Sequence, residues 1–109
     1  MKKYPLGEFE EIVLLTVGVL YDEAYGVAIK DEIERRLDRK VSVGAMQSAL
    51  RRMEQKGYLS SRLGETANQR GGKRKRYFKI TAIGKRALEY TKEVRLGLWK
   101  DIPNIALDF

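Results

Sequence analysis

Six of the ten residues from 70 to 79 are cationic and none is acidic: Arg70, Lys73, Arg74, Lys75, Arg76 and Lys79. All but one unit of the formal net charge of +7 lies in that stretch. A charge run is often only a solvated surface. This one contains the turn signal Gly71-Gly72 and passes into Tyr77-Phe78-Lys79-Ile80, which reads as a strand. Cations carried on a hairpin arm have phosphate as their natural partner. A second constellation lies upstream, where Gly44, Gln47, Ser48, Arg51 and Gln55 recur at spacings of three and four. That spacing puts them on one helix face, with Glu54 the first acid at its edge. Arg can donate two hydrogen bonds to guanine and Gln can pair with adenine, while a small residue near the helix N-terminus allows close approach to a groove. Ser42 stands beside N-terminal amides that favour a phosphate. Arg51 and Arg52 taken singly read equally well as solvated helix residues; beside the basic arm, both count toward duplex DNA.

Catalysis has far less to work with. The chain has no His and no Cys, which removes the commonest general base, thiol chemistry, disulfides and the usual metal ligands. Asp22-Glu23 and Asp31-Glu32 are the carboxylate pairs on offer, and they fall in a turn and on a solvated helix face. No glycine-rich phosphate loop joins a strand to a helix. The expectation is therefore a non-enzyme with no metal and no cofactor.

The elements that must position these residues follow from periodicity. At 109 residues the chain suits one domain, burying roughly 60–70% of its unfolded surface. Its 43% hydrophobic and 34% charged residues exclude a disordered chain. No apolar run approaches the ~20 residues that span a bilayer. Met1-Lys2-Lys3 leads into Tyr4-Pro5 and acidic residues rather than an apolar stretch, so a cytoplasmic protein without membrane attachment is expected.

Residues 6–20 read as a helix carrying Leu6, Phe9, Val13, Val17 and Leu20, with acids in its first turns to suit the dipole. Ile12, Leu14 and Leu15 widen its apolar surface and hint at a subunit contact. A second helix runs from about 25 to 37 with Ile29, Ile33 and Leu37 inward, and Val41 is expected in a brief strand. Ser42 caps a third helix at 43–56, which has Met46, Ala49, Leu50 and Met53 inward and Gly57 as its stop. Strands follow at 58–63 and 75–80 around a basic loop. Thr81 then caps a helix at 82–100 with Ile83, Ala87, Tyr90, Val94 and Leu98 inward, ended by Pro103.

Three helices, a hairpin with a basic loop, and a fourth helix are the order of a winged helix-turn-helix. The fold class expected is mainly α with a small β-hairpin, in which residues 1–81 form a DNA-binding unit and residues 82–109 a C-terminal dimerisation helix. Two apolar helices and one small core leave a surplus that a two-fold homodimer would bury.

Six segments in register resemble the PadR family of bacterial transcriptional regulators, in its small subgroup with a single C-terminal helix: LGEFEEIVLL (6–15), AYGVAI (24–29), VSVGA (41–45), RMEQKGYL (52–59), RGGKRKRY (70–77) and ITAIG (80–84). The resemblance implies a homodimeric winged-helix repressor on a palindromic double-stranded DNA operator, released by a small effector. The chain departs from the family pattern at Gln47, where Tyr is common.

The DNA-binding residues expected are Ser42, Gly44, Gln47, Ser48, Arg51 and Arg52 on the third helix, with Arg70, Lys73, Arg74, Lys75 and Arg76 on the wing. For Arg76, inside the returning strand, a structural role competes with anchoring. Two other readings stand beside this one. A winged helix can dock protein or double-stranded RNA, although the paired arginines and a pI near 9.7 speak against a pure protein adaptor. The chain can also be mainly a sensor of planar aromatic compounds with DNA as the output, as in multidrug-sensing relatives. The lone Trp99, near the end of the last helix, would then stack on a flat aromatic effector at the two-fold, with Leu15 and Val19 lining the same space. The plainer role for Trp99 is core or dimer packing.

Overall fold

The computed structural model describes residues 3–65 and 74–109; Arg70 and Lys73 lie outside the described residues. Helix α1 spans Glu8–Leu20. The amide of the residue that precedes it is met by the helix's own third residue: the Gly7 N–H donates to the Glu10 carboxylate at 2.8 Å. Glu8, Glu10 and Glu11 occupy the positive end of the helix dipole. Val13, Leu14 and Val17 are buried, and Thr16 is accommodated beside them by donating to the Ile12 carbonyl at 2.7 Å. A 3₁₀ turn, Tyr21–Glu23, leads to helix α2, Gly26–Leu37.

Helix α2 buries Ile29 and Ile33, but Leu37 is exposed, contrary to expectation. The chain leaves the helix there through Asp38 in the left-handed region, so no element covers the last turn. The strand expected at Val41 is also absent. Val41 is buried, yet its N–H donates to the Glu34 carboxylate at 2.7 Å rather than to a neighbouring strand. Tyr25 instead makes an isolated antiparallel bridge to Tyr77, with Phe78 N–H donating to the Ala24 carbonyl at 2.8 Å.

Helix α3, Val43–Gln55, behaves as its sequence predicts. Ser42 Oγ accepts from Ala45 N–H at 3.0 Å, and Met46, Ala49, Leu50 and Met53 are buried. At the far end Gly57 takes φ +81°, and the amides of Gly57 and Tyr58 return to the carbonyls of Glu54 and Met53. That stop needs a residue without a Cβ. Strand β1, Leu59–Leu63, then pairs antiparallel with β2, Arg76–Ile80, in the register Leu59 to Ile80 and Leu63 to Arg76.

Helix α4 spans Ala82–Asp101. Thr81 caps it by accepting from Gly84 N–H at 3.0 Å, while its own hydroxyl donates to the Gly57 carbonyl. Gly84 is required for contact: a Cβ there would lie 2.2 Å from the Tyr58 carbonyl oxygen. Within α4 only Gly84 and Ala87 are buried. Ile83, Tyr90, Val94 and Leu98, expected inward, are exposed: the Tyr4 ring lies 6.0 Å from that of Tyr90, and the described chain leaves the rest of that stripe largely uncovered. A final 3₁₀ turn, Asn104–Leu107, follows Pro103. Among the described residues, no helix is long and apolar enough to cross a membrane.

Candidate nucleic-acid interface

The core face of α3 points to α1 and α2, which leaves an arc of the helix uncovered. Gly44, Gln47 and Arg51 on that arc are exposed and Ser48 is half-buried; Ser42, exposed at the N-cap, commits its oxygen to Ala45. Gln47 and Arg51 line one groove with Arg76 and Phe78 of β2, Gly26 at the start of α2, and Leu50 and Glu54. Helix α3 and strand β2 therefore converge on a shared surface.

The wing cations are less free than their charges suggest. Lys75 places its ammonium 4.1 Å from the centre of the Tyr25 ring, and Arg62 lies 4.9 Å from that of Tyr77. The two rings meet edge to face at 5.6 Å. These contacts stiffen the base of the wing. Arg74 Nε donates to the Gly64 carbonyl at 3.0 Å. Arg76 donates to Ser61 Oγ at 3.0 Å, and the Ser61 hydroxyl donates in turn to Glu54 at 2.7 Å, tying the wing to α3. Arg76 thus makes a contact within the hairpin as well as lining the groove. Sequence reasoning passed over Arg62 and Ser61. Their signal was cross-strand register, since Arg62 lies opposite Tyr77.

Arg52 sits apart from this groove. Its Nε donates to the Glu10 carboxylate at 3.1 Å, and Lys56 Nζ donates to the same carboxylate at 2.8 Å. Burial is the largest single influence on Glu10 and pushes its carboxyl up. The hydrogen bonds from Lys56, from the Gly7 amide and from Arg52 together outweigh it and hold the group below its ordinary range. Glu34 is likewise lowered, chiefly by the Val41 amide.

At the other end of the molecule, Trp99 and Leu15 line one groove between α1 and α4 with Leu88 and Leu96, spanned by an ion pair from Arg95 to Glu11 at 2.8 Å. Val19, exposed on α1, is not part of that lining. Trp99 is 66% exposed, so this chain alone does not bury it. Among the described residues, no group of His, Cys, Asp or Glu is arranged to hold a metal ion.

Comparison with known proteins places this geometry. The solved structure of a PadR family transcription regulator from Clostridium difficile R20291 is 32% identical, with a TM-score of 0.63 over 82% of this chain and 91% of that one. A transcriptional regulator from Clostridium thermocellum is 27% identical, with a TM-score of 0.64 over 86% and 92%. A PadR-like transcriptional regulator from Bacillus cereus ATCC 14579 shares the fold at 22% identity, with a TM-score of 0.71 over 93% and 92%. Among curated proteins there is no match. The family model described as the transcriptional regulator PadR-like family matches residues 14–90. That span holds all of α2 and α3, the whole hairpin and the start of α4, and the chain belongs to the PadR-like family of transcriptional regulators, winged-helix proteins that are not enzymes.

Proposed function

We propose that the protein is a sequence-specific repressor that binds double-stranded DNA in the cytoplasm, as a homodimer on a palindromic operator, and is released by a small effector. The reading is carried by one observation: Gln47 and Arg51 of α3 share a groove with Arg76 of the wing. Residues 1–81 supply the DNA-binding unit and residues 82–109 the dimerisation helix. In this reading Arg51 and Gln47 contact base edges, while Ser42, Gly44 and Ser48 let the start of α3 approach the backbone. Arg70, Lys73, Arg74 and Lys75 anchor to phosphates. Dimerisation is supported by the uncovered apolar stripe of α4, and it would set two α3 helices about 34–36 Å apart, one turn of DNA.

The experiment is selection of binding sites from a randomised duplex pool, followed by titration of variants. Arg51→Ala should cost about 1–3 kcal/mol per half-site and relax preference at one base pair. Lys75→Ala should weaken all duplexes alike and reduce the salt slope by about one. If Arg51→Ala left every operator variant equally bound while the wing change altered specificity, reader and anchor would be exchanged. Monomer alone in light scattering at micromolar concentration, with or without DNA, would remove the dimer.

The Trp99 and Leu15 groove favours the sensor reading as a refinement. An indole exposed in one chain can stack on a planar aromatic effector held between subunits. Such a ligand releases DNA only by preferring one dimer geometry over another. Quenching of Trp99 by micromolar planar aromatics, with loss of operator binding, is the expected outcome. If no compound in a broad aromatic panel quenches it and Trp99→Ala dissociates the dimer, the residue is packing alone.

A further inference from the structure

A buried acid in the first turn of α1 grips the recognition helix from behind. Glu10 is 6% exposed, and its two oxygens take three donors: Gly7 N–H and Lys56 Nζ on Oε1, and Arg52 Nε on Oε2. Lys56 also donates to the Pro5 carbonyl at 3.3 Å, and the Tyr58 hydroxyl donates to that carbonyl at 3.1 Å. Arg52 and Lys56 are one helical turn apart. They occupy the α1 edge of α3, whereas Gln47 and Arg51 flank the groove on the opposite edge. Half of the Arg52 side chain is nevertheless exposed, so its position depends on Glu10 rather than on enclosure.

Two cations on a helix that approaches DNA have two possible partners. Bound to phosphates, they strengthen binding to every sequence equally, since phosphate contacts carry no sequence information. Bound to Glu10, they are withheld from phosphate and instead fix how α3 is set against α1. A buried carboxylate that loses its donors is strongly unfavourable, which makes this attachment firm. Specificity is the ratio of operator to non-specific affinity, and the attachment raises that ratio on both counts.

We propose that Glu10 is a specificity-determining positioning residue, which holds Arg52 and Lys56 against α1 so that α3 keeps one pose and two cations stay off the phosphates. The inference rests on the DNA-binding reading above and adds a role on the face of α3 turned away from the groove.

The test compares wild type with Glu10→Gln on a duplex selected by wild type and on an unrelated duplex, over a range of salt. Glu10→Gln should bind the unrelated duplex more tightly at low salt, with a slope steeper by about one to two, one for each cation released. Its operator-to-unrelated ratio should fall by about tenfold, the size of one lost base contact. The double variant Arg52→Gln/Lys56→Gln approaches the same knot from the other side and serves if Glu10→Gln fails to fold. It should keep the wild-type salt slope while losing operator preference. A slope shallower by about two in that double variant would show that both cations hold phosphates and would overturn the proposal. So would a Glu10→Gln protein that folds and matches wild type in slope and ratio. A DNA-free readout is exchange of the Arg52 Nε–H, expected to be slow in free wild type and fast in Glu10→Gln; equal rates would also overturn it. A wild type that selects no duplex would remove the DNA-binding reading itself, an outcome distinct from all of these.

Discussion

Replacing Gly44 by Ala separates the folding role of α3 from its binding role with one methyl group. Gly44 is the second residue of the helix, its φ is not in the left-handed region, and a Cβ built there has no heavy atom within 4 Å. Nothing in the free protein opposes the change. Ala is preferred to Gly by about 0.8–1.0 kcal/mol in a helix interior, and removing glycine's unfolded freedom is worth about 0.4–1 kcal/mol at a compatible site. In the first turn the lower figure applies, so stability should rise by ~0.5 kcal/mol. For a domain of this size that is an increase in Tm of about 2–4 °C. The binding side has the opposite sign. Gly44 shares the uncovered arc with Ser48 and Arg51, and a methyl between that arc and the sugar-phosphate wall displaces the helix from the groove. The loss expected is about 1–3 kcal/mol per half-site, as for one base contact. Thermal unfolding followed by circular dichroism gives the first quantity, and fluorescence anisotropy on a selected duplex gives the second. A variant with raised Tm and unchanged affinity would show that this arc does not face DNA. A lowered Tm would show that the space beside Gly44 is already filled.

Three further outcomes follow from the packing. Gly84→Ala puts a methyl 2.2 Å from the Tyr58 carbonyl oxygen, which also accepts from Thr81 N–H at 3.0 Å; overpacking and a weakened hydrogen bond exceed the helix gain, and urea unfolding should show a net loss of about 1–3 kcal/mol. The carboxyls of Glu10 and Glu34 lie below their ordinary 4.5 in the folded chain, so their contribution is complete above that pH and is lost as pH falls below it; Glu10→Gln should flatten the acid limb of a stability-against-pH curve, and an unchanged limb would place the acid transition elsewhere. Trp99 emission should move to shorter wavelength as protein concentration rises through the dimerisation range, because one chain alone leaves the indole largely in water; emission independent of concentration would mean that no partner covers it.

Helix α3 was legible because its signals are local. Ser42, the spacing of Met46, Ala49, Leu50 and Met53, and Gly57 specify start, buried face and stop within one helix and its two caps. Thr81 and α4 were read in the same way. What escaped depends on contacts made between elements rather than within one. Val41 has a strand-forming, apolar side chain, but the Glu34 carboxylate takes its amide before any strand can. Tyr25 enters the sheet only because the hairpin folds back onto the start of α2. Glu10 reads as one of three acids suited to a helix N-terminus, and nothing local marks it as the one that Arg52 and Lys56 will enclose. The apolar stripe of α4 was correctly seen as apolar. Periodicity identifies a surface that avoids water and is silent on which molecule covers it.

That uncovered helix also bears on how long a chain survives. Past Ala87, α4 touches its own protomer along the groove with α1 and through the Arg95–Glu11 ion pair, but none of its residues there is buried, and an isolated helix of such length is marginal in water. In the proposed dimer, the partner supplies what is missing. A newly made chain at low abundance would therefore keep a compact winged helix with a frayed end, open to proteases at the exposed Leu96, Leu98 and Trp99. Pairing would close that opening, so the lifetime of the regulator would lengthen as its concentration rose. Turnover would then trim unpaired chains, and the amount of competent dimer would respond more steeply than linearly to synthesis.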